Sequence, residues 1–224
     1  MATEEARGQF NENAVYNIPN DDKLPLNWGY FVAFNKFHYR TNYLSSELGA
    51  TEILVEKQSG FNVGLIGELR LNNFLDLRLE PGFISGKRNL IFKNPNLNNS
   101  TDSLRVVKST FIDLPLLLKF SAQRIANWRP FVVGGLYASM NLSSNADSIE
   151  DNYSGSFKTQ KWNYGYQIGV GIDFYLPYFK FTPSIRGAFA INDDVIRDSN
   201  PASPWTANIE RMNSRAFFLV LTFE

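Results

Sequence analysis

The sequence has no cysteine, a single histidine, no excess of either charge and no long apolar run. Without cysteine there is no disulfide framework and no thiolate metal site. Lysine plus arginine and aspartate plus glutamate each number 22, a formal net charge of zero. That balance argues against a nucleic-acid binder, which carries a basic excess. The longest mostly apolar stretch, Pro130 to Met140, is far shorter than the ~20 residues of a transmembrane helix. Mean hydropathy is −0.24, which excludes helical spans. A β-barrel escapes that test, because only alternate residues of its strands face lipid. The opening segment from Met1 to Arg7 has no apolar centre and is not a signal peptide. A barrel reading therefore expects a processed chain whose signal has been removed. With one histidine, any Ser-His-acid site would have to use His38.

Aromatic residues are plentiful: 15% of 224 residues, with 19 Phe and 10 Tyr. The most informative stretch is Phe61 to Phe83. One alternating set is Phe61, Val63, Leu65, Leu69, Leu71, Leu75, Leu77, Leu79 and Phe83. The other is Asn62, Gly64, Glu68, Arg70, Asp76, Arg78, Glu80 and Gly82. Such alternation marks two strands, because successive side chains point to opposite faces. Asn72-Asn73 is the turn signal between them. A soluble barrel would turn the apolar set inward, and glycine would have no reason to share a face with charge. A membrane barrel reverses the faces, and glycine beside Glu and Arg suits a crowded polar interior.

The pattern repeats along the chain. Residues 1–26 are polar and aperiodic and are expected to form a flexible periplasmic lead. Residues 27–224 are expected to form the barrel. The first strand, Asn27 to Tyr39, has aromatics on both faces. The hairpin gives strands two and three. Further strands are expected at Thr110–Ser121, Arg129–Asn141, Trp162–Phe174 and Tyr178–Ile191, and a last one ending at Phe223. The connections 40–57, 86–108, 142–161 and 192–212 are long, and the others are short. The predicted fold is all-β: an eight-stranded antiparallel transmembrane β-barrel, up-and-down, with long external loops, short periplasmic turns and both termini in the periplasm of an outer-membrane protein. An even strand number lets the first and last strands pair and removes every edge. Aromatics gather at strand ends as two girdles. Trp28, Tyr30, Phe74, Trp128, Tyr175, Tyr178 and Phe223 form one. Phe37, Tyr39, Tyr43, Trp162 and Tyr164 form the other.

The polar faces place Glu68, Arg70, Arg78, Glu80, Asp113, Lys119, Asp173, Lys180 and Arg186 in the lumen. Their signs nearly cancel, so a paired salt-bridge network is expected in a barrel just filled by its own side chains. The acidic pairs at Asp193-Asp194 and Asp147–Asp151 fit no calcium-loop spacing. Gly169-x-Gly171 follows no strand-to-helix transition and is no nucleotide motif. No catalytic residue, metal site or cofactor is expected, and no small-molecule substrate. Pro201, Pro204 and Trp205 are the candidate partner contact, since prolines reduce the entropy of ordering and tryptophan is a frequent anchor.

Several segments resemble a known family: SGFNVGLIGELRL (59–71), STFIDLPLLLKFS (109–121), RPFVVGG (129–135), GVGIDFYLPYFKFTPSIRGAFAIND (169–193), NPASPWT (200–206) and the terminal Phe223-Glu224. They are similar to the PorT/SprT family of the Bacteroidetes type IX secretion and gliding machinery, from about Pro25 to Glu224. The stretch Tyr175–Ile191 with the later Pro-Trp is the most specific part, and the other segments also suit the broader group of outer-membrane β-barrels. The resemblance implies a non-enzymatic outer-membrane barrel, required for protein secretion and assembling with other secretion-machine proteins. It carries over no catalytic residue. A general barrel for envelope integrity or adhesion is the alternative, and a soluble ligand-binding calyx comes after it. Barrels usually end in an aromatic residue, whereas here Glu224 follows Phe223.

Overall fold

The computed structural model describes residues 16–20, 23–44, 52–57, 59–93, 104–144, 158–198, 200, 203 and 206–224. Alternation produces strands throughout: β1 (Leu26–Tyr43), β2 (Glu52–Lys57), β3 (Ser59–Arg70), β4 (Leu75–Leu79), β5 (Gly82–Lys93), β6 (Leu104–Ser121), β7 (Trp128–Asn141), β8 (Trp162–Tyr175), β9 (Lys180–Ala190) and β10 (Ile209–Phe223). All pairings are antiparallel: β3 pairs with β4, both β4 and β5 pair with β6, and from β6 to β10 each strand pairs with the next in sequence. β1 pairs with β10 on one side and with β3 on the other, so the sheet closes into a barrel.

The ten segments form eight staves. β2 and β3 succeed one another along the second stave, since both pair with the β4–β5 side. β4 and β5 form the third stave, interrupted at Glu80-Pro81. Proline lacks the N–H a ladder needs, but the ladder continues around it. The Pro81 carbonyl accepts from Leu65 N–H at 3.0 Å, and Glu80 N–H donates to Pro115 O at 3.2 Å. This matches the expected eight-stranded, up-and-down transmembrane architecture.

Strand lengths depart from expectation. Parts of 40–57 and 86–108, expected as loops, are strand: β1 runs on to Tyr43, β2 occupies 52–57, β5 reaches Lys93 and β6 starts at Leu104. β10 likewise begins at Ile209, inside the expected loop 192–212. Beyond the apolar zone a strand keeps its ladder, as Ile91 opposite Leu104 shows, but no longer needs side-chain alternation to declare itself. The Asn72-Asn73 turn is built as expected. Asn72 Oδ1 accepts the backbone N–H groups of Phe74 and Leu75 at 2.8 and 2.9 Å, a side-chain mimic of a turn bond.

The outer face is apolar. Phe61, Val63, Leu65, Leu69, Leu79, Ile112, Leu114, Leu116, Leu118, Val132, Ile168, Val170, Ile185, Phe217 and Leu219 are all exposed. An apolar band of this extent marks contact with membrane and not water. The two aromatic girdles are thinner than the sequence suggested. Trp28, Tyr30, Phe74, Trp128, Tyr178, Trp162 and Tyr164 are exposed at strand ends, but Tyr175, Phe37 and Tyr39 are buried inside the barrel. In β1 the ambiguity resolves by parity, with Tyr30 and Phe34 outside and Phe31 and Phe37 inside.

Candidate functional site: the barrel interior

Inward positions on six staves converge near the end bearing the short turns. Arg78, wholly buried on β4, donates through Nε to Glu68 Oε2 on β3 at 2.8 Å. It also reaches Glu80 Oε1 at 3.4 Å and Glu224 Oε1 at 2.8 Å. Lys119 Nζ on β6 lies 2.8 Å from Asp173 Oδ2 on β8 and 3.5 Å from Glu68 Oε2. Lys180 Nζ at the start of β9 lies 2.6 Å from Glu224 Oε2 and 3.6 Å from Glu68 Oε1. Arg186 Nη1 contacts Glu80 Oε2 at 2.5 Å. Thr182 Oγ1 donates to Asp173 Oδ1 at 2.8 Å. Four cations (Arg78, Lys119, Lys180, Arg186) thus face four carboxylates (Glu68, Glu80, Asp173, Glu224). Burial of any of these charges without a partner would cost several kcal/mol, and the arrangement leaves each with a partner.

Two residues proposed for the network stand apart from it. Arg70 pairs with Asp76 across the hairpin at 3.5 Å. Among the described residues Asp113 meets no cation, and it accepts from Gln167 Nε2 at 3.3 Å. Glu224 was missed as a member. Its neighbour Phe223 points outward, so strand parity alone turns Glu224 into the lumen. Arg129, inward by the same parity as Phe131, donates to the carbonyls of Ala122 at 2.9 Å and Asn73 at 2.6 Å, tying two turns together.

The interior is less polar than expected. Towards the long loops it carries a cluster of Phe31, Phe37, Ile66, Ile84, Phe111, Phe218 and Val220, with Tyr137 packed against it. Phe37 stacks on Phe111 at 5.8 Å and meets Phe218 edge-on at 6.0 Å, geometries that aromatic pairs favour. The inward glycines make room for these rings. A Cβ on Gly64 would fall 2.5 Å from the Phe31 ring, and one on Gly171 would fall 2.5 Å from the Phe131 ring. Among the described residues, two interior spaces of about 20 Å³ each are lined in part by Asp113 and Gln167. Each has room for little more than a water molecule.

The ends of the barrel are tied as well. Asn17, in the N-terminal lead, receives the Arg124 guanidinium on its carbonyl. Its own N–H donates to Asn127 Oδ1 at 2.9 Å, and its side chain donates to the Tyr175 carbonyl at 2.9 Å. Arg124 lies 3.7 Å from the Tyr175 ring centre and 5.4 Å from that of Tyr16. At the other end Asp193 pairs with Arg197 at 3.1 Å. His38 stands on the outer face of β1 opposite Arg215, away from the lumen. Pro201, Pro204 and Trp205 lie outside the described residues, as do Asp147–Asp151.

No curated protein matches the chain. Among solved structures it is similar to the outer membrane protein OprG from Pseudomonas aeruginosa, with TM-score 0.47 and 13% identity, over 87% of this chain and 95% of that one. It is similar to Neisserial surface protein A with TM-score 0.42 and 13% identity, over 86% and 95%. The attachment invasion locus protein of Yersinia pestis, solved with the heparin analogue sucrose octasulfate, gives TM-score 0.40 and 10% identity over 88% and 96%. Residues 9–194, which include the hairpin, the alternating strands and most of the interior network, match the family model for the outer membrane protein beta-barrel domain, and the chain belongs to that family.

Proposed function

We propose that this outer-membrane barrel is a non-enzymatic structural or assembly subunit of a protein-secretion machine of the type IX class. The observation that carries this reading is the closed interior. Ion pairs fill one half and stacked phenylalanines the other, so neither a polypeptide nor a solute has a path through. Work done by such a molecule falls to its surfaces: the long loops, the N-terminal lead and the membrane-facing wall. In this reading the short turns and both termini face the periplasm, and the loops face outward. The lead, held by Arg124 beneath the barrel, is then placed to meet periplasmic parts of the machine. The resemblance of 59–71, 109–121 and 169–193 to the PorT/SprT family supplies the secretion role.

The test is recovery of a tagged copy from native outer membranes in mild detergent, with secretion measured in a strain lacking the gene. Stoichiometric capture of other secretion components, with cargo retained in the periplasm of the deletion strain, supports the proposal. Recovery of the barrel alone with secretion intact overturns it in favour of an envelope or adhesion role.

A further inference from the structure

The apolar outer wall is not uniform around the barrel. On β1 it stops at Phe34, and on β10, read towards the loops, it stops at Phe217. The next outward positions on β1 are Lys36, His38, Arg40 and Asn42, and on β10 they are Arg215, Asn213 and Arg211. The antiparallel register sets His38 opposite Arg215, Arg40 opposite Asn213 and Asn42 opposite Arg211. Arg40, Arg211 and Arg215 border a cleft of about 320 Å³ together with Asn213, Tyr166 and Phe189. That is within the ~300–1,000 Å³ range of small-molecule sites.

Three features make the cleft unlike an ordinary solvated face. None of the three arginines forms an ion pair among the described residues. The Asp193 carboxylate, a near neighbour in this region, is already taken by Arg197 at 3.1 Å and by the Met212 N–H at 3.0 Å. Glu210 is exposed beside Arg211. Two of the guanidiniums are fixed. Arg215 lies over the Phe189 ring at 5.8 Å, and Arg211 donates to the Ile191 carbonyl. The aromatic wall is continuous with the loop-end girdle: Phe189 stacks on Tyr166 at 5.2 Å, and Trp162 stacks on Tyr164 at 6.3 Å. Aromatic girdles sit at headgroup depth. Cations on the membrane face at that depth meet a phosphate layer, and guanidiniums grip phosphate through paired N–H donors.

We propose that the Arg40–Arg211–Arg215 cleft binds the phosphate headgroup of an anionic lipid in the leaflet on the loop side. The acyl chains would then run down the apolar wall past Phe217 and Leu219. This inference needs only the membrane barrel and not the secretion role.

The test uses the full chain folded in detergent and titrated with phosphatidic acid, with diacylglycerol and inorganic phosphate as comparisons, read by native mass spectrometry. The wild type is expected to retain phosphatidic acid at concentrations at least about tenfold lower than R40Q/R211Q/R215Q, since charge-assisted hydrogen bonds are lost. R40K/R211K/R215K, which keeps charge but not the fork, is expected to fall between the two. Equal retention by wild type and glutamine variant overturns the proposal, as does retention of diacylglycerol as strong as that of phosphatidic acid. Inorganic phosphate that displaces the lipid at equal concentration makes this a free-anion site and overturns the lipid assignment. If the triple variant loses heat-dependent gel mobility, R215Q alone replaces it, with a loss of about threefold or more expected and no loss overturning the proposal.

Discussion

Replacing Arg78 by methionine keeps most of the volume of the side chain but removes the cation shared by Glu68, Glu80 and Glu224. Arg78 has no solvent exposure, so water cannot take its place. Three cations (Lys119, Lys180, Arg186) would then face four carboxylates. Removing one partner of a buried ion pair costs about 3–5 kcal/mol. With an m-value of about 1–3 kcal/mol/M in urea, the unfolding midpoint should fall by about 1–5 M. The assay is urea unfolding in lipid vesicles, followed by tryptophan fluorescence and by heat-dependent gel mobility. The second variant is decisive. R78M/E224Q restores three against three and leaves Glu80 with Arg186, Glu68 with Lys180, and Asp173 with Lys119. Residues in one network couple by about 0.5–3 kcal/mol, so the double variant should be more stable than R78M alone. A loss below about 1 kcal/mol for R78M would refute the network as a unit. So would a double variant less stable than the single.

Leu65→Arg puts a charge on the outer wall where Leu65 is 64% exposed. It should cost about 2–4 kcal/mol in vesicles, whereas an unchanged midpoint would mean that this wall meets water. Gly171→Val places a Cβ 2.5 Å from the Phe131 ring and 2.7 Å from Ser184 Cβ. Overpacking of about 1–3 kcal/mol is expected, read as a lower urea midpoint, and a neutral result would show that the ring does not rest there. Arg124→Ala removes the guanidinium held by the Asn17 carbonyl and stacked on Tyr175. Trypsin should then cut faster after Lys23 with the barrel midpoint unchanged, and an unaltered cleavage rate would show that Arg124 does not hold the lead.

The hairpin around Asn72 was legible because both of its strands present aliphatic residues outward and charges or glycines inward. β8 was equally plain, since Tyr164, Tyr166, Ile168, Val170, Ile172 and Phe174 alternate with small or polar residues. β1 was ambiguous for a physical reason. Phe31 and Phe37 are core residues of the lumen, while Tyr30 and Phe34 belong to the outer wall, so both faces are aromatic and the period-2 contrast vanishes. Glycines on a charged face signal crowding. The crowding comes largely from rings, and which ring lies over which glycine depends on neighbouring staves far apart in sequence. Asp113 shared parity with Lys119, yet Lys119 turns to Asp173 and Glu68. Parity gives the face of a side chain but not its height partner across the lumen. Glu224 illustrates the converse: it read only as a departure from an aromatic ending, but its parity places it between Arg78 and Lys180.

Opening this lumen would require two separate changes. In the ion-paired half, Arg186 must leave Glu80 and Lys119 must leave Asp173. At about 3–5 kcal/mol for each broken buried pair, two pairs cost about 6–10 kcal/mol. That is comparable with the whole stability of an ordinary domain, about 5–15 kcal/mol. In the aromatic half, Phe37 must also unstack from Phe111 and Phe218. At one factor of ten per ~1.4 kcal/mol, the first change alone limits an open state to roughly 1 molecule in 10⁴ or fewer. The full chain in a planar bilayer should therefore show no steady conductance at either polarity. A stable ohmic step in the wild type would refute the closed interior, and with it the conclusion that this barrel works through its surfaces.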